Sequence, residues 1–207
     1  MITAMEALER LREGNGRFVS GVRSLDTLVT GRRRDEFVRG QAPFAVILGC
    51  SDSRVPVEIV FDQGLGDLFV IRVAGNVVAS SQIGSIEYAA EQFGTRLVVV
   101  MGHTRCGAVQ ATVEELRRPT EQQSPHLRSI VDRIRPAVVE LAASASTDEV
   151  EATVRRAVRA NVRMSADHLR HGSDILEHLI EHDGLLVVGA EYALETGVVD
   201  FFDGVTK

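Results

Sequence analysis

Phe44-Ala-Val-Ile-Leu-Gly-Cys-Ser-Asp-Ser-Arg54 opens on an unbroken apolar run and closes on a thiol, a carboxylate and a guanidinium. Pro43 and Gly49 bound the run. An apolar stretch of that length without alternation reads as a strand covered on both faces, as in a parallel sheet. Runs of the same type follow at 68–73 and 97–101, and the second leads into Gly102-His103-Thr-Arg-Cys106. Between them, 81–93 places Ile83, Ile86, Ala89, Ala90 and Phe93 on one helical face, with Gly94 where a C-terminal cap belongs. A fourth strand is expected at 185–189, and 197–202 is expected to pair with it as a hairpin edge. Strand alternating with helix predicts an α/β fold: a mainly parallel central sheet of four strands with an antiparallel edge strand, flanked by helices.

Upstream, Thr3 with Glu6 forms a capping-box signal ahead of Met5, Leu8 and Leu11. It predicts a helix over 3–12, broken at Gly14 and resumed over 15–19. A short polar helix is expected at 32–39. The stretch 107–183 carries no strong strand signal and reads as helices over 108–116, 125–143 and 148–182, the last interrupted at Gly172. No repeat or low-complexity linker divides the chain. The expectation is one α/β domain over 1–207: a helical arm over 1–40, a sheet core over 41–116, and C-terminal helices and last strands over 117–207.

The bulk properties exclude several classes of protein. With 207 residues, 44% hydrophobic and 25% charged, the chain has an ordinary globular composition. Its net charge of −6 argues against a protein that grips nucleic acid by bulk charge. Neither a signal-peptide core nor a membrane-span-length apolar run is evident, so a cytoplasmic setting with no membrane partner is expected. Two cysteines, Cys50 and Cys106, make no disulfide framework. In a reducing compartment such thiols stay free, bind metal or do chemistry.

Both thiols fall at the carboxyl end of an expected strand. If strand 44–48 lies between 68–73 and 97–101, connections diverge to opposite faces beside Cys50 and His103, the place where open parallel sheets bind ligands. Two sulfurs and one imidazole would converge there. Cys2His with an open fourth position is a catalytic zinc arrangement, and its soft-to-borderline donors suit that ion. Asp52 is placed to be a fourth ligand or to accept a hydrogen bond from water on the metal, and Arg54 to pair with it in bidentate fashion. Each cysteine alone would read as packing. The joint pattern favours a metal site. Of the other histidines, His178 and His182 share one helix face but lack the glutamate placement of a zincin, and they read as solvated.

Cys50-Ser-Asp-Ser-Arg54 followed by His103-Thr-Arg-Cys106-Gly resembles the β-class carbonic anhydrases. The likeness extends through Gln41-Ala-Pro, Val55-Pro56, Asp67 to Arg72, Ala74-Gly-Asn76 and Ser85-Ile-Glu-Tyr88-Ala, covering about residues 4–116. The resemblance implies zinc on Cys50, His103 and Cys106, with Asp52 and Arg54 as the catalytic dyad and Asp52 a fourth ligand only in a closed state. It implies that Gln41 hydrogen-bonds substrate and that Phe69 and Tyr88 line the pocket, partly across a dimer interface. The activity implied is the reversible hydration of carbon dioxide to bicarbonate and a proton, by hydroxide that zinc makes available near neutral pH. A homodimer or homotetramer is expected with it. In a regulated subgroup, bicarbonate binds near residues matching Val55 and Arg72, beside a Trp three residues before the first Cys. Here that position is Ile47, which puts such a switch in doubt.

Hydrolysis of carbonyl sulfide or carbon disulfide on the same scaffold is the alternative chemistry. A non-catalytic zinc or bicarbonate sensor is weakened by the intact Asp52–Arg54 pair, and a thiol redox protein by the lack of a C-x-x-C motif.

Overall fold

The computed structural model describes residues 2–22, 38, 40–118, 124–144 and 150–205. Five strands form one sheet: β1 (Ala45–Gly49), β2 (Leu68–Arg72), β3 (Leu97–His103), β4 (Leu186–Tyr192) and β5 (Val199–Asp203). Their order is β2-β1-β3-β4-β5. The first four run parallel and β5 returns antiparallel at the edge, as the sequence predicts. Every residue of β1 and β3 is buried, which is why neither shows apolar–polar alternation.

The helices are α1 (Ala4–Ser20), α2 (Val57–Val60), α3 (Ser80–Gln92), α4 (Gly107–Arg117), α5 (Pro125–Ser144), α6 (Val150–His171) and α7 (Asp174–His182). One sheet face, through Ala45, Ile47, Val99 and Met101, packs on Leu8 and Leu11 of α1 and on α2 with Phe61. The opposite face, through Val46, Leu48, Val98 and Val100, packs on Ile86 and Ala90 of α3, Val162 and Leu169 of α6, and Leu176 of α7. A third cluster joins α4, α5 and α6 around Cys50 and Cys106. The expected break between 148–182 falls at Gly172, where Ser173 Oγ caps α7 by accepting from Leu176 N–H at 3.2 Å. The expected helix at 32–39, apart from Val38, lies outside the described residues, as do residues 148 and 149. Among the described residues no helix is long and apolar enough to cross a membrane.

The start of α1 follows the capping-box reading: Glu6 N–H donates to Thr3 Oγ1 at 3.2 Å and Thr3 N–H to Glu6 Oε2 at 2.7 Å. The expected break at Gly14 does not occur, and α1 runs unbroken to Ser20. Gly14 instead marks a close approach. A Cβ at Gly14 would lie 1.9 Å from the Phe61 carbonyl oxygen. The next residue, buried Asn15, donates from Nδ2 to the carbonyls of Val60 at 3.1 Å and Gly197 at 2.9 Å, and accepts Val199 N–H at 2.9 Å. The glycine that weakens a helix in isolation here lets the helix reach the sheet.

Candidate metal centre

β1 is flanked by β2 and β3, and the chain leaves it on the α2 face but enters β3 from the α3 face. The divergence opens at the carboxyl ends of β1 and β3. Cys50 is the first residue beyond β1, His103 the last of β3, and Cys106 the N-cap of α4. The three donor atoms lie within 4.8 Å of one another, and the two sulfurs are 3.9 Å apart and unbridged. Exposure is 5% for Cys50, 1% for Cys106 and 0% for His103.

His103 Nδ1 lies 2.9 Å from the Thr104 carbonyl oxygen. A carbonyl only accepts, so Nδ1 carries the proton and Nε2 the lone pair. Nε2 is buried with no hydrogen-bond partner. A lone pair stranded beside two sulfurs is what a soft-to-borderline metal ion would satisfy, so the donor set fits one. The thiols favour the same outcome. The hydrogen bond from Cys106 holds the Cys50 thiol well below its usual range against the effect of burial, helped by the Gly75 N–H. The Cys106 thiol is pushed up because its proton is engaged by Cys50 and because it is buried. A metal ion would replace that shared proton.

Asp52 stands beside this group rather than in it. Its Oδ1 accepts Arg54 N–H at 3.0 Å and Nε–H at 2.9 Å, its Oδ2 accepts from Nη2 at 2.8 Å, and Oδ2 is 3.8 Å from His103 Nε2. The Arg54 hydrogen bonds hold the Asp52 carboxyl well below the usual carboxylate range. Arg72, at the end of β2, donates from Nε to the Cys50 carbonyl at 2.9 Å and from Nη2 to the Asp52 carbonyl. It straps the turn that presents both residues.

The other expected site residues are elsewhere. Gln41 is exposed and precedes β1. Phe69 pairs with Val46 at the amino end of β1, about 13 Å from Cys50 by strand rise. Tyr88, 53% exposed on α3, has its ring 6.4 Å from that of Phe69. Within one chain these three are not brought to the metal donors. His178 and His182 stack on α7 with centroids 4.6 Å apart, both exposed, and α7 leads into the amino end of β4, away from the donors.

Sequence reasoning missed three supports. Glu195 accepts from Thr104 Oγ1 at 2.8 Å and pairs with Arg105 at 2.9 Å, fixing the segment between His103 and Cys106, where Arg105 adopts a left-handed φ of 57°. Gly75 N–H donates to Cys50 Sγ at 3.4 Å. Asn161 and Ser165 of α6 hold the Gly75 turn. The Ala74-Gly-Asn76 string hinted at the second. Nothing local in the sequence marks the first or third.

Comparison with known proteins agrees with this geometry. A family model described as "Carbonic anhydrase" matches residues 45–199. Carbonic anhydrase 2 of Mycobacterium tuberculosis is 39% identical over 191 residues, 92% of this chain and 89% of the relative. A carbonic anhydrase of Mycolicibacterium smegmatis is 38% identical over 196 residues, 94% and 91% of the two chains. Among solved structures, a β-carbonic anhydrase of Aspergillus fumigatus superposes with a TM-score of 0.71 at 25% identity, covering 84% of this chain and 81% of that one. The Coccomyxa β-carbonic anhydrase solved with acetazolamide shares the fold, with a TM-score of 0.72 at 22% identity and coverage of 94% and 86%. The match therefore runs past residue 116, where the motif-bearing likeness ended, through the helices into β4 and the start of β5. With fold, site and relatives in agreement, the chain belongs to the β-carbonic anhydrase family, lyases that interconvert carbon dioxide and bicarbonate.

Proposed function

We propose that this chain hydrates carbon dioxide on a zinc ion held by Cys50, His103 and Cys106, with Asp52 and Arg54 as the catalytic pair. The observation that carries the reading is the buried, unpartnered His103 Nε2, clustered with two sulfurs and 3.8 Å from an ionised Asp52. Two sulfur donors and one imidazole suit zinc. Zinc bound there supplies a Lewis acid that brings the pKa of water down to about 7.

The remaining work belongs to the chain. Arg54 occupies both Asp52 oxygens, so the carboxylate keeps its charge and acts only as an acceptor. From that position Asp52 takes a hydrogen bond from the attacking hydroxide, left when water gives up a proton to buffer, and turns an oxygen lone pair toward the carbon of carbon dioxide. The new C–O bond forms as one C=O electron pair moves onto oxygen, giving bicarbonate. Arg72 keeps the Cys50–Asp52 turn in register during this step.

The chain acts as a homodimer or a higher homo-oligomer. Gln41, Phe69 and Tyr88 lie too far from their own Cys50 to touch its substrate, and the exposure of Gln41 and Tyr88 supports their serving the site of a second copy. The free, buried thiols suit a reducing cytoplasm.

The test is stopped-flow carbon dioxide hydration with metal analysis on the same sample. One zinc per chain and hydration that rises toward alkaline pH are expected. Full zinc with no hydration between about pH 7 and 9 would overturn the reading. Asp52→Ala is expected to keep its zinc and lose at least about a hundredfold in rate.

A further inference from the structure

Cys50 has a buried support that begins 111 residues further along the chain, on α6. After β2 the chain makes a tight turn at Ala74–Asn76 in which Gly75 and Asn76 have φ values of 69° and 44°. Glycine takes such a φ freely, and asparagine takes it more readily than most residues that bear a Cβ. The turn is held from outside. Asn161 Nδ2 donates to the Gly75 carbonyl at 2.8 Å, and Ser165 Oγ, one helical turn on, donates to the Asn76 carbonyl at 3.2 Å. Both side chains are buried, Asn161 at 1% exposure and Ser165 at 4%. The far side of the turn is closed by packing, since a Cβ on Gly75 would meet Ile134 Cδ1 at 2.7 Å. So fixed, the Gly75 N–H points at Cys50 Sγ, 3.4 Å away.

Packing alone does not call for an amide at 161. Asn161 Oδ1 has no hydrogen-bond partner among the described residues, and a buried, unpaired acceptor costs stability that an apolar side chain would not. The Nδ2 bond to Gly75 is the feature an apolar residue could not replace.

We propose that Asn161 is a positioning residue of the metal centre: by holding the Gly75 carbonyl it aims the Gly75 N–H at Cys50 Sγ and so sets the electron density that this sulfur offers the metal. The assignment rests on Cys50, His103 and Cys106 being a metal site. An N–H donor withdraws charge from a thiolate sulfur. Losing its aim leaves a more electron-rich, less well oriented ligand, and outer partners of this kind alter metal binding by about tenfold to a hundredfold when removed.

The test replaces the native metal with Co2+ and reads the thiolate-to-cobalt charge-transfer bands, together with the rate of metal release to a chelator. Asn161→Leu keeps the bulk and removes the donor. Its charge-transfer band is expected to move to lower energy and its metal to leave about ten to a hundred times faster. Asn15→Leu is the control, because Asn15 is also a buried, backbone-anchoring amide but lies on α1 and bonds to Val60, Gly197 and Val199. It is expected to lower the melting temperature without moving the band or the release rate. If Asn161→Leu fails to fold, Asn161→Ser, too short to reach Gly75, carries the same expectation. A folded variant at 161 with band and release rate unchanged overturns the proposal, as does an equal effect from Asn15→Leu. A wild-type protein that shows no thiolate-to-cobalt band overturns the metal centre, and the proposal with it.

Discussion

Cys50 and Cys106 are all the thiols the chain has, and each is nearly sealed from solvent. In a core they would be small apolar fillers replaceable by serine or alanine at modest cost. Here they sit 3.9 Å apart beside an unpartnered imidazole nitrogen. Cys50→Ser, Cys106→Ser and His103→Ala are each expected to lose bound metal and hydration together, as metal analysis of the purified variants would show. Arg54→Ala is expected to keep the metal but lower the hydration rate, because Asp52 then loses the partner that holds both its oxygens. These residues were legible in the sequence because their chemistry is carried by side-chain type and by position at strand ends. Asn161 was not. It acts through a main-chain carbonyl 86 residues away, and such a bond leaves no trace in spacing or composition.

At the level of elements, the strands were the easier reading, because burial on both faces writes itself as unbroken apolar runs. β3 and β4 reach further than the runs predicted, to His103 and Tyr192, because pairing continues into polar residues. The misread element was α1. Glycine propensity predicted a break at Gly14, whereas tertiary contact with Phe61 requires a glycine in a continuous helix. Gly14→Ala, neutral or helpful in an isolated helix, is therefore expected to destabilise the protein by about 1–3 kcal/mol in urea denaturation. The other end of the same helix carries a pH signature. Main-chain and side-chain hydrogen bonds from Thr3 lower the Glu6 pKa from 4.5. A lowered carboxylate contributes its stability above the unfolded value and loses it as pH falls through the folded one. The melting temperatures of wild type and Glu6→Gln are expected to differ near neutrality and to converge as pH drops below 4.5.

For the whole molecule, one sheet end holds the metal donors with Asp52 and Arg54, while the other holds Gln41, Phe69 and Tyr88. If two copies complete the site, as proposed, that separation becomes a prediction about mixing. Asp52→Ala and Gln41→Ala are each expected to be weak alone. In a hybrid dimer one site regains both native residues, so an equal mixture allowed to exchange subunits should recover about a quarter of wild-type activity. Recovery no greater than the average of the two variants would place Gln41 in its own chain's site or outside catalysis. The sequence spoke clearly for residues 41–116, and for the helical half it predicted the elements, including the break at Gly172, but not what their faces pack against. The helices there act by packing and by main-chain bonds, which many sequences satisfy.

The contacts of Asn15 also bear on the order in which the chain is made. Its amide spans Val60, Gly197 and Val199, so two of its three bonds await residues separated from it by 182 and 184 positions. During synthesis β1, β2 and β3 can emerge and pair while the inner side of α1 still lacks its last partners. The helix can complete its docking only after β5 has left the ribosome. Until then Leu8 and Leu11 have an incomplete cover, a stretch that a nascent-chain chaperone could hold.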